Sequence, residues 1–188
     1  LTEFKAGLNA YLATTPPDVR TRTLADIIAF NKATPRELAL FGQDLFEQAE
    51  KTKGLDDPEY RKARDYGIAY AGRNSIDPLL KAHKLDALTG PTVSGACPND
   101  AVHGDQYPGG GGGYLAAMAG YPHLTVPMGQ VKGLPVGLSF IGPKWSDALI
   151  LSLGFAYEQA RGPLPGPRFL PSIEQAPEIA PLLEPVRR

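Results

Sequence analysis

The sequence predicts an α/β fold, a helical layer followed by a few strands and a buried helix. Three observations point to it. Apolar residues recur at helical spacing through residues 1–84. At Leu85 the texture changes to short apolar runs set among glycines and prolines. The stretch from Trp145 to Arg161 is apolar nearly all the way round, the pattern of a helix buried on most sides.

Thr2 to Ala13 reads as the first helix, with Phe4, Leu8, Tyr11 and Leu12 on one face, and Pro16-Pro17 breaks the chain after it. A second helix is predicted from Leu24 to Lys32, capped by Thr23, with Ile27, Ile28 and Phe30 mostly buried. Thr34-Pro35-Arg36-Glu37 has the form of a capped helix start. The third helix is therefore expected to run to about Lys53, with Leu38, Phe41, Leu45 and Phe46 facing inward and Gly54 as its stop. Asp57-Pro58-Glu59 opens a fourth helix, and Asp77-Pro78 a short fifth.

Beyond Leu85, residues Asp86 to Thr89 form a short strand candidate, followed by a long irregular loop from Gly90 to Gly113. A loop of that length is commonly a functional one. A short helix (Tyr114 to Ala119) leads to two apolar strands, His123 to Met128 and Leu134 to Ile141, joined as an antiparallel hairpin. In the second strand Gly137 and Ser139 leave one face nearly bare, which signals close approach by another element. Residues 1–161 make up the domain (1–84 mainly helical, 85–161 strands and helices), and 162–188, with seven prolines, form a tail.

Composition narrows the function. With 19 basic against 20 acidic side chains, no electrostatic case exists for nucleic acid or an anionic membrane as partner. One cysteine excludes an internal disulfide and a multi-cysteine zinc site. No apolar run approaches the roughly 20 residues of a spanning helix, and the expected location is cytoplasmic. The chain starts Leu-Thr-Glu-Phe without Met, which suggests part of something longer.

Three features carry candidate chemistry. The run Gly109 to Gly113 lacks the Lys and Ser/Thr of a phosphate-binding loop and reads instead as a mobile loop beside a cleft. Cys97, Asn99, Asp100, His103 and Asp105 cluster in the long loop. A thiol nucleophile with a histidine base is chemically possible there, but no orienting third group stands at a recognisable spacing. Too few imidazole and thiolate ligands are present for a closed metal site, and no cofactor is expected. His123, at the start of an apolar strand, reads as a structural histidine.

Several separated blocks then resemble one family. Ala119-Gly-Tyr-Pro-His-Leu-Thr-Val-Pro-Met-Gly, Gly133-Leu-Pro-Val-Gly-Leu-Ser-Phe-Ile-Gly-Pro and Trp145-Ser-Asp with a helix ending Tyr157-Glu-Gln-Ala are similar to the C-terminal part of the amidase signature family. Leu85-Asp-Ala-Leu-Thr-Gly-Pro-Thr, Phe4-Lys-Ala-Gly-Leu-Asn-Ala-Tyr-Leu and Thr23-Leu-Ala-Asp-Ile-Ile-Ala-Phe-Asn also match, in the right order. The resemblance implies a large mixed sheet between helices. It also implies amide hydrolysis by a Ser nucleophile, a second Ser in a cis peptide and a Lys, all in a Gly/Ser-rich region toward the N-terminus. Serines 75, 94, 139, 146, 152 and 172 lie in no such context, so no catalytic residue transfers to this chain.

The expectation is thus a C-terminal portion of an amidase, contributing sheet, core and part of the substrate pocket, and inactive alone. Its partner would be the N-terminal catalytic half, its ligand a small amide. Thr92, Cys97, Asn99 and Tyr107 are the candidate substrate contacts. The alternative is a non-catalytic truncated homologue that binds a partner chain. An isolated chain is expected to self-associate through exposed apolar surface.

Overall fold

A computed structural model describes residues 1–188 except 98, 99, 101, 108, 170, 173, 174, 176, 178–180 and 182–188. The chain divides into two units, Leu1–Tyr66 and Gly67–Arg188.

The first unit is helical. Helix α1 (Thr2–Ala13) and helix α2 (Leu24–Ala33) lie where the periodicity put them. Thr23 caps α2 in a reciprocal box, accepting from the Asp26 amide while Asp26 accepts from the Thr23 amide. Between the helices the Arg22 guanidinium donates to the carbonyls of Leu12 (3.1 Å), Thr15 (2.7 Å) and Pro16 (2.7 Å). A cation thereby satisfies the open end of α1. Leu12, Leu24 and Ala49 are buried, and the Phe4 and Phe46 rings pack 5.4 Å apart.

The expected long third helix is instead two pieces, a 3₁₀ turn (Pro35–Leu38) and helix α3 (Asp44–Glu50). Thr34 makes no side-chain cap, and the chain closes by i→i+3 bonds, Glu37 N–H to Thr34 and Ala39 N–H to Arg36. The Gln43 side chain then bonds back to Asn31 and to the Ile28 carbonyl, taking the segment off the helical path next to Gly42. Phe41 and Leu45 consequently face solvent rather than the core, and so does Phe30 of α2. Helix α4 (Pro58–Ala71) begins at the Asp57-Pro58 signal, with Asp57 Oδ1 accepting from the Glu59 amide.

In the second unit a single π turn (Gly72–Ile76) leads into helix α5 (Asp77–His83). Strand β1 (Leu88–Pro91) starts two residues later than predicted, in register with Leu88 opposite Ile141. Helix α6 (Gly113–Ala119) is followed by strands β2 (His123–Val131) and β3 (Leu134–Ile141) and helix α7 (Asp147–Arg161). The strands form an antiparallel sheet in the order β1-β3-β2. The predicted hairpin is present but tighter than expected. Lys132 and Gly133 alone make the turn, both at positive φ (52° and 76°), the geometry that matches strand twist.

One face of the sheet carries α7, in which Gly154 lies against Leu124 and Val126, and Tyr157 meets Phe140 edge to face at 5.9 Å. Helix α7 buries only this strip. Ile150 and Gly154 are enclosed, while Leu151 and Phe155 are exposed, because three strands offer the helix a single apolar surface. The opposite face is split. Ile141 joins Ile76, Leu80 and Ala116 in a core, with Leu88, Leu115 and Tyr121 packed around it. The remainder of that face is polar.

Candidate functional site

The polar half-face follows from strand alternation. His123 and Thr125, two apart on β2, point to one side, and Ser139 stands directly opposite Thr125 on β3. Gly90 of β1 pairs with Ser139 from the other side, and Thr92 prolongs the ladder by donating its amide to the Gly137 carbonyl at 2.8 Å. The side chains form one hydrogen-bonded chain. His123 Nε2 lies 2.6 Å from Ser139 Oγ, Ser139 Oγ donates to Thr92 Oγ1 at 3.0 Å, and Thr92 Oγ1 lies 2.5 Å from Thr125 Oγ1. Ser139 is fully buried, Thr92 is half-buried, and Thr125 and His123 are exposed. The bare position at Gly137 makes room for the pair of threonines, since a Cβ there would stand 2.6 Å from Thr125 Oγ1 and 2.8 Å from Thr92 Oγ1.

The glycine run frames this surface. Gly112 donates to the Pro91 carbonyl at 3.3 Å. Gly111, at φ 127°, crosses the Thr92 carbonyl with no space for a side chain, and a Cβ on Gly113 would stand 2.5 Å from His123 Cε1. The last glycines of the run thus serve close packing against the sheet rather than anion binding.

Of the four residues picked from sequence, Thr92 sits in the middle of the hydroxyl chain. Cys97 is a half-buried free thiol and Tyr107 is largely exposed. Neither side chain is hydrogen-bonded to Thr92 among the described residues. Asn99 lies outside the described residues. His103 turns its Nδ1 to Asp100 Oδ2 at 3.2 Å rather than to Cys97. The amides of His103 and Val102 hold the Asp100 carboxyl below its usual range, with the His103 ring adding to the effect. Among the described residues no three His, Cys, Asp or Glu side chains come together as a metal site. No described helix is long and apolar enough to cross a membrane.

Ser139 and Thr125 are the site residues that sequence reasoning passed over. The signal was the bare face at Gly137 and Ser139, opposite which Thr125 falls in register. Chemically the chain is a run of three hydroxyls closed at one end by an imidazole. Its serine is enclosed and cannot reach a substrate carbonyl, whereas its outer threonines can meet one. A concavity of about 580 Å³ lies between the hairpin end (Gln130, Lys132, Pro135) and Leu164 and Phe169 of the tail, and none of the hydroxyl-bearing residues lines it.

Comparison with known proteins gives a consistent answer, although no family model matches. The chain is 33% identical over 173 residues to a probable amidase of Arabidopsis thaliana, covering 90% of this chain and 30% of that protein. It superposes on the native peptide amidase of Stenotrophomonas maltophilia with a TM-score of 0.76 and 45% identity, covering 91% of this chain and 34% of the amidase. An amidase family protein of Bacillus anthracis gives 0.66 and 30%, over 89% of this chain and 29% of that one. The chain therefore spans about a third of the length of these relatives, matching their C-terminal portion.

Proposed function

We propose that this chain, which belongs to the amidase signature family, works as the C-terminal part of an enzyme that hydrolyses amide bonds. It supplies sheet, core and one wall of the substrate pocket, and the nucleophilic serines and lysine come from the N-terminal catalytic half of the fold. The observation that carries this reading is the hydroxyl-lined half-face framed by Thr92 and Gly111 to Gly113. It is a hydrogen-bonding wall of hydroxyls suited to an amide. Thr92, Cys97, Asn99 and Tyr107 contact the substrate in this reading. The name of the Stenotrophomonas maltophilia relative, a peptide amidase, favours a peptide amide.

The test is kinetic. The full reading frame is expressed and assayed on a panel of peptide and small amides, alongside Thr92→Val, Cys97→Ala, Asn99→Ala and Tyr107→Phe. Raised KM values for at least part of the panel are expected. Unchanged KM throughout removes the pocket assignment. Turnover by residues 1–188 alone, abolished by thiol alkylation, would replace this reading with a Cys97–His103 enzyme.

A further inference from the structure

We infer that His123 and Ser139 are positioning residues that keep one hydroxyl proton of the Thr92–Thr125 pair unspent and turned toward a carbonyl oxygen of the bound amide. The inference rests on the reading above and deepens it, and the argument is a count of protons. Each hydroxyl has one proton, and a neutral imidazole nitrogen either donates or accepts. Ser139 Oγ is the donor to Thr92 Oγ1. Its proton is therefore used, and the 2.6 Å contact with His123 Nε2 requires the imidazole to donate. Thr92 and Thr125 then share one hydrogen bond between two protons, whichever of them donates. With Thr92 as the donor, the O–H left over is that of Thr125, which is exposed at the outer end of the chain.

The opposite tautomer reverses the outcome. If Nε2 carried no proton, it would take the Ser139 hydrogen, and Thr92 could donate inward to Ser139. Thr125 could then donate to Thr92 and leave only lone pairs outward. The buried serine thus couples the state of the histidine ring to the polarity of a surface hydroxyl about two residues away on the same strand. Chains of this kind strengthen one another in a low-dielectric setting, and Ser139, fully buried, is in one. The site would take a neutral acceptor such as a peptide or carboxamide carbonyl.

The experiment uses the full-length protein encoded by the reading frame. Thr125→Val removes the hydroxyl at nearly constant shape and is expected to raise KM for peptide amides about tenfold, the value of one hydrogen bond, with kcat largely kept. Thr125→Ser should restore KM, and Ser139→Ala should reproduce part of the loss. Ring-¹⁵N histidine labelling, assigned with His123→Gln, should show the Nε2–H form in the parent. An unchanged KM in Thr125→Val, or a failure of Thr125→Ser to rescue, overturns the inference while leaving the amidase reading intact. Should the protein cleave no amide at all, the amidase reading fails, and the ring spectrum decides this inference separately: an Nδ1–H tautomer sinks it and the Nε2–H form sustains it.

Discussion

Gly113→Ala tests whether the packing around His123 or helix propensity governs the start of α6. On propensity, alanine should be better than glycine by up to about 1 kcal/mol in a helix interior, and by less in the first turn. Gly113 has no positive φ that would oppose the change. The added methyl, however, would stand 2.5 Å from His123 Cε1 and 3.0 Å from Nδ1, so the ring must move. Moving it breaks the 2.6 Å bond to Ser139 and leaves a fully buried hydroxyl with one partner fewer. That loss is worth about 1–2 kcal/mol, so the net expectation is destabilisation by about 1 kcal/mol. Urea unfolding followed by circular dichroism should show a midpoint lowered by roughly 0.5 M for a slope of about 2 kcal/mol/M. In a Ser139→Ala background the penalty should largely vanish, giving a coupling of about 1 kcal/mol in the double-mutant cycle. A raised midpoint in the single variant, or strict additivity, would refute the reasoning.

Tyr121 gives a pH-dependent prediction. Its hydroxyl donates to Asp77 Oδ2 at 2.9 Å, and burial, then the Asp77 carboxylate, raises its pKa above the usual 10.0. A pKa raised on folding means stability that is complete below pH 10 and lost as pH climbs through the folded-state value. Tyr121→Phe should cost about 1 kcal/mol at pH 8, and the gap to the parent should close as urea midpoints are taken toward pH 11; a gap constant with pH would be inconsistent. Helix α7 supplies the third. Leu151 and Phe155 are exposed one turn apart, so residues 1–188 should self-associate in sedimentation velocity, and Leu151→Glu with Phe155→Glu should return the monomer. A parent that stays monomeric at high concentration would refute it.

Local signals were legible wherever they acted within a few residues. The Thr23 cap, the Asp57-Pro58 start and the hairpin all stand near their predicted positions, because capping bonds and strand alternation are short-range. The third helix departs from its local signal for a long-range reason: Gln43 takes its partners from α2, which a capping box at Thr34 cannot reveal. Of the site residues, Thr92 could be chosen from its loop, and the empty face at Gly137 and Ser139 was visible as a gap.

The residue order was enough to show the resemblance to the family, most helical and strand segments and a long irregular loop, since each rests on periodicity, composition or separated blocks of similarity. What filled the gap came only with the folded sheet. The β2–β3 register puts Thr125 opposite Ser139, and the β1 edge brings Thr92 from 47 residues away in sequence to the same oxygen. Hydrogen bonds depend on tenths of an ångström between strands, and pairing register, rather than the identity of any one residue, sets those distances.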